Sequence, residues 1–196
     1  MIKDIVLRNR SYRGFNQNRK IGKEELLDMV DCARFTASSV NMQPFKYYIA
    51  WESEEVAHIQ TLTKWARGLP ELRLPHPGMC PTGFVVILQD MQINNNLQRF
   101  QKDCGIAAQT ILLRATEMGL GGCMIGNFPA GDLRKTLDLP VDLAPLLVVA
   151  IGEPAETVVI RGVESGESVN YYRDAEDVHY VPKRKLEDVV ICRSHR

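Results

Sequence analysis

Two guanidiniums flank a hydroxyl near the start of the chain, in Arg10-Ser11-Tyr12-Arg13. Arginine presents paired donors that match phosphate oxygens, and a serine hydroxyl adds one short hydrogen bond. The pattern suits an anion, although a solvated basic helix end has the same composition. A second group is Ser38-Ser39-Val40-Asn41-Met42-Gln43-Pro44. Ser38, Asn41 and Gln43 offer donors and acceptors together, as the edge of a heteroaromatic ring or a polyol demands. The segment also reads as a turn, because Ser and Asn favour loops and Pro44 bars helix just before it. The two readings are compatible, since ligand residues often sit on loops. The third group is Gly119-Leu120-Gly121-Gly122-Cys123-Met124-Ile125-Gly126. Its glycines follow a helix and lead into extended chain, whereas a dinucleotide-binding turn follows a strand and opens a helix; the spacing also misses GxGxxG. What remains is a backbone able to approach a flat ligand closely, with N–H groups free to donate. A last basic cluster, Pro182-Lys183-Arg184-Lys185, is either another anion site or a solvated tail.

Regular elements must hold these groups. Residues 23–35 read as an amphipathic helix after a Gly22 cap, with Leu26, Leu27, Val30 and Ala33 at helical spacing. A short extended run follows Pro44 at 47–51. A second helix is expected over 54–67, with Val56, Ile59, Leu62, Thr63 and Ala66 inward. Residues 69–81 hold Pro70, Pro75, Pro77, Pro81 and Gly78, which marks a long surface loop. The continuous apolar runs at 84–88 and 146–151 suit strands buried on both faces. Between them, 103–118 is apolar on nearly every side of a helix, so that helix is central or interfacial, and Gly119 stops it. Beyond Ala155 the chain turns polar and lacks an evident core of its own. Its Tyr171, Tyr172 and Tyr180 must nevertheless pack on something, so 155–196 reads as an extension of a single 1–196 domain. Helices and strands in this order give an α+β, α/β-layered architecture.

Composition excludes several classes. Lys plus Arg and Asp plus Glu balance at 24 each, which argues against a nucleic-acid or membrane-surface binder. No run approaches the roughly 20 apolar residues a bilayer needs, and MIKDIVLRNRSYRGF has no hydrophobic leader, so a cytoplasmic location is expected. The scattered cysteines (Cys32, Cys80, Cys104, Cys123, Cys192) form no CxxC pair, and His58, His76, His179 and His195 show no metal spacing, so no metal is expected.

Taken in order, the four groups resemble the nitroreductase family of FMN enzymes over essentially the whole chain. Members open with a pattern like RRSxRxF, here Asn9-Arg10-Ser11-Tyr12-Arg13-Gly14-Phe15. They continue to PSxxNxQP, here Ala37-Ser38-Ser39-Val40-Asn41-Met42-Gln43-Pro44. A DxGxAxQxxxLxAxExGLGxCxIG segment matches residues 103–126. A strand ending in GxP follows at Gly152-Glu153-Pro154, then a basic cluster and an LEDVV-like end at 184–190. Asn9 replaces the first arginine of the usual pair, and Ala37 the usual proline.

The resemblance implies a mixed central sheet flanked by helices, with the 155–196 extension wrapping the partner of a homodimer. It implies FMN as cofactor, NAD(P)H as hydride donor, and ping-pong reduction of a small organic acceptor such as a nitroaromatic or a quinone. Arg10, Ser11 and Arg184 then match phosphate and ribityl contacts, with Tyr12 in the same segment. Arg13 matches the cation beside the pyrimidine edge of the flavin. Ser38, Asn41 and Gln43 match polar contacts reaching the flavin from the other subunit. Cys123, Met124, Ile125 and Gly126 match the segment along the ring near its reactive nitrogen. No side chain is required as an obligatory acid or base, so none is assigned catalysis. The same fold also carries dehydrogenases of small ring substrates, and a non-enzymatic flavin-binding module is the alternative of another class.

Overall fold

A computed structural model of the chain describes residues 1–192, so His195 lies outside the described residues. Helix α1 (Ile2–Arg8) leads through an extended segment to α2 (Lys23–Arg34). There follow a 3-10 turn (Ser39–Asn41), strand β1 (Phe45–Ala50), helix α3 (Ser53–Leu62) and strand β2 (Gly83–Asp90). Next come α4 (Gln101–Glu117), β3 (Gly121–Ile125), α5 (Ala130–Thr136) and β4 (Leu143–Gly152). The last elements are β5 (Val158–Val163), β6 (Tyr172–Arg173), β7 (His179–Arg184) and α6 (Leu186–Val189). They fall into two compact units, one formed by Met1–Trp65 with Arg73–Ala155 and the other by Ala66–Leu72 with Glu156–Arg196.

In the first unit, four strands pair antiparallel in the order β1-β2-β4-β3. A single parallel bridge, Ser11 to Gly122, extends the pairing at the β3 edge. Side chains alternate across a strand, so β2 feeds two cores. Val85 and Ile87 join Leu26, Met29, Ala33, Ala108 and Ile111 on the α2/α4 face. Phe84, Val86 and Leu88 join Val56, Ile59, Leu133 and Leu137 on the α3/α5 face. Helices therefore cover both faces of the sheet, which is why 84–88 is apolar without interruption.

Helix α4 carries Cys104, Ala107, Ala108, Ile111, Leu112 and Ala115 inward, a stripe at helical spacing. It ends in a Schellman motif: Gly119 takes φ +78°, Leu120 N–H donates to the Ala115 carbonyl at 2.8 Å, and Gly119 N–H donates to Thr116 at 3.2 Å. Helix α2 starts at Gly22, whose N–H donates to Glu25 Oε2 at 2.9 Å. Its inward residues are Leu26, Met29 and Ala33, while Leu27 is exposed; the inward stripe is narrower than the sequence suggests. Helix α3 stops at Leu62 rather than at 67, because Thr63 is already extended at ψ 139°. Among the described residues, no helix is long and apolar enough to cross a membrane, and no cluster of His, Cys, Asp or Glu could hold a metal ion.

The second unit is a three-stranded sheet in the order β5-β7-β6, with β5–β7 parallel and β6–β7 antiparallel. The tyrosines of the tail beyond Ala155, expected to pack on something, meet one another, His179 and Gly68. Tyr172 stacks on Tyr180 at 5.0 Å, Tyr171 meets His179 edge-on at 5.4 Å, and the Tyr171 hydroxyl accepts the Gly68 N–H at 3.0 Å. Arg173 forms a buried ion pair with Glu156 and a second one with Asp177 at 2.9 Å.

Candidate functional site

The extended segment after α1 lies along the edge of β3. Ser11 bridges Gly122, and Tyr12 N–H donates to the Gly122 carbonyl at 3.0 Å. Tyr12 is held at both ends of its side chain: its hydroxyl donates to Arg8 O at 2.9 Å, and its ring lies where a Cβ on Gly121 would come within 2.5 Å. Arg13 is buried to 9% exposure and donates to the Ser11 carbonyl at 3.2 Å. Arg10 donates through Nη2 to the Val6 carbonyl at 2.6 Å, while its buried Nε finds no partner among the described residues. Burial pushes the Arg10 guanidinium below its usual range, with Tyr12 acting in the opposite sense. A buried cationic donor with an unmet hydrogen bond is a fitting place for an anion.

The glycine run serves packing more than ligand approach. A Cβ on Gly122 would stand 2.1 Å from Ala150 O and 2.7 Å from Leu112 Cδ2, and one on Gly121 would meet Tyr12 and Pro154. Gly119 supplies the positive φ that ends α4. Gly126 has open space around it. Strand β3 has β4 on one side, and backbone groups face a given edge at every second residue. With Gly122 pointing its carbonyl outward to Tyr12, Met124 presents its N–H to the same open edge. Cys123 and Ile125 turn their side chains into the α3/α5 core, and Met124 packs against the α2/α4 core.

Ser38, Asn41 and Gln43 come together on a separate loop. Ser38 Oγ donates to Asp103 Oδ2 at 3.0 Å, Ser39 N–H donates to the same oxygen at 2.6 Å, and Gln43 N–H donates to Ser38 Oγ at 3.0 Å. Gln43 Nε2 donates to Asn41 O at 3.2 Å and to Asn41 Oδ1 at 3.1 Å. The loop borders a cavity of about 150 Å³ lined by Thr36, Ser38, Gln43, Tyr47 and Asp103. Burial pushes the Tyr47 phenol up to about 12, so this floor is poorly solvated. In the sequence Asp103 stands only as the start of a helix and the first residue of the family-like segment at 103–126; what could have singled it out as a loop anchor is an acid entering a mostly apolar inner stripe. Arg184, the remaining predicted contact, ends β7 in the second unit and is exposed.

Comparison with known proteins places this geometry. A family model described as the Nitroreductase family matches residues 6–153. A protein of Methanothermobacter thermautotrophicus, named provisionally as an NADH dehydrogenase/NAD(P)H nitroreductase, is 27% identical over 159 residues, covering 78% of this chain and 77% of its own. Among solved structures, a nitroreductase family protein from Streptococcus pneumoniae superposes with a TM-score of 0.68 at 13% identity, over 98% of this chain and 100% of that one. A protein from Exiguobacterium sibiricum, provisionally named a nitroreductase and solved in complex with FMN, gives a TM-score of 0.65 at 19% identity, over 80% and 89% of the two chains. At such identities the structural likeness establishes the fold.

Proposed function

The chain belongs to the nitroreductase family, and from that premise we propose that it is an FMN-dependent oxidoreductase. It takes hydride from NAD(P)H and reduces a small organic acceptor, such as a nitroaromatic or a quinone, the two substrates using one pocket in turn. The observation that carries this reading is the Ser11–Gly122 bridge, which brings the arginine segment to the open edge of β3.

The residues fit the cofactor. Arg10 offers an orphaned buried donor for phosphate, and the outward N–H of Met124 and the open space at Gly126 suit the rim of a flat ring. Bound FMN supplies the hydride-accepting and hydride-donating chemistry. Arg10 and Ser11 hold the phosphate and ribityl chain. Arg13, fixed by burial and by its bond to Ser11, places a positive charge beside the pyrimidine edge, where reduction adds negative charge. Ser38, Asn41 and Gln43 of the partner subunit complete the polar contacts, so the working unit is a homodimer, with the 155–196 extension wrapping the partner. Large apolar side chains left exposed support this pairing: Ile2, Val6 and Leu7 on α1, Phe35 at the end of α2, Val40, and Ile106 on α4. These elements pack on one another, since α4 contacts both α1 and α2.

Purified protein is expected to be yellow, with the absorption bands of oxidised flavin, and to bleach anaerobically on adding NADH or NADPH. Added nitroaromatic or quinone then restores the colour. A colourless protein that FMN cannot reconstitute would sink the reading.

A further inference from the structure

Val40, Asn41 and Gln43 sit at φ of 50°, 53° and 49°. That region strains any side chain with a Cβ, a β-branched one most of all. Val40 is also 75% exposed, so its own packing does not hold it there. The conformation needs an anchor outside the loop. Asp103 supplies one: it is 7% exposed in the first turn of α4, and its Oδ2 accepts both the Ser38 hydroxyl and the Ser39 N–H. Ser38 Oγ in turn accepts the Gln43 N–H. One carboxylate therefore fixes the loop where it leaves α2 and, through Ser38, where it enters β1. Its neighbours Cys104, Ala107 and Ala108 are buried in the core, which references the loop to the most rigid part of the unit.

We propose that Asp103 is a positioning residue of the cofactor site, acting through the loop to preset Ser38, Asn41 and Gln43 before FMN or the partner subunit arrives. The proposal rests on the reading of that loop as a cofactor contact. A charged acceptor matters because charge-assisted hydrogen bonds are about twice as strong as neutral ones. Presetting a binding loop also removes part of the ordering cost of binding.

The test titrates full-length protein with FMN and follows flavin fluorescence. Asp103→Asn and Ser38→Ala are each expected to weaken binding by about 10- to 100-fold, the loss of one charge-assisted hydrogen bond. Ser38→Thr, which keeps the hydroxyl, is expected to recover most of the affinity. Subunit exchange separates a loop effect from a general defect. Mixing Asp103→Asn chains with Arg10→Ala chains is expected to restore one tight FMN per mixed dimer, because one site then combines an unaltered arginine segment with an unaltered loop. No recovery, or wild-type affinity in Asp103→Asn whatever Ser38→Ala does, overturns the proposal. Should Asp103→Asn not fold, Asp103→Glu decides instead, since it keeps the carboxylate and moves it by one methylene: weakened FMN binding by the folded variant supports the proposal, and wild-type affinity overturns it. Wild-type protein that binds no FMN overturns the underlying reading as well, and shows it before any variant is made.

Discussion

Arg10 is the residue whose environment asks most plainly for a ligand. Its Nη2 is spent on the Val6 carbonyl, its Nε is buried without a partner, and desolvation already lowers its hold on the proton. A phosphate would meet that orphan donor and offset the burial. Arg10→Ala is accordingly expected to weaken FMN by about 1.5 to 3 kcal/mol, the range for a hydrogen bond to a charged group. Riboflavin, which lacks the phosphate, is expected to lose far less. Parallel titrations with both ligands check this, and equal losses would place Arg10 elsewhere. Tyr12, by contrast, is committed to the Arg8 carbonyl and packs against Gly121.

Strand β3 is the element on which the site depends, and its position is set by a contact no side chain makes. Gly122 lies so close to β4 that a Cβ would fall 2.1 Å from Ala150 O, a backbone atom that cannot swing aside. Gly122→Ala is therefore expected to force β3 and β4 apart at a cost of about 1–3 kcal/mol or more, as overpacking does. Gly126→Ala, with nothing near its added methyl, is expected to change stability by less than about 0.5 kcal/mol. Denaturant midpoints of the two variants make the comparison. Equal midpoints would mean that the β3–β4 spacing has slack the geometry does not show.

At the scale of the molecule, the proposed dimer accounts for apolar side chains left exposed on the first unit. Ile106 lies on a helix most of whose apolar residues are buried, yet it is 43% exposed, and Val40 and Phe35 are more exposed still. An isologous interface would cover the same patch on each subunit. Ile106→Glu is expected to shift the protein toward monomer in sedimentation at micromolar concentration and to lower flavin occupancy with it. FMN bound across the interface should oppose that shift by mass action. A monomer that retains tightly bound, NADH-reducible FMN would refute the shared site.

The sequence by itself determined what short-range physics determines. The unbroken apolar run at 84–88 suits a fully buried strand and forms one, the run at 146–151 forms a strand buried from Val148 on, Gly119 ends the helix its position suits, and the arginine, Ser-Asn-Gln and glycine segments in order carry the family resemblance. The early stop of α3 at Leu62, the exposure of Leu27 and the three-stranded sheet beyond Ala155 depended on contacts made after the chain had folded. So did the division of labour within the site. Nothing local shows that Gly121 and Gly122 serve packing while Gly126 is left open, because those neighbours arrive from Tyr12, Pro154 and Ala150. Nor does residue type alone show that Asp103, a helix-start acid by its spacing, reaches back across 65 positions to Ser38. Period and propensity act over a few residues, whereas the partners of a buried carboxylate are chosen by how the layers close.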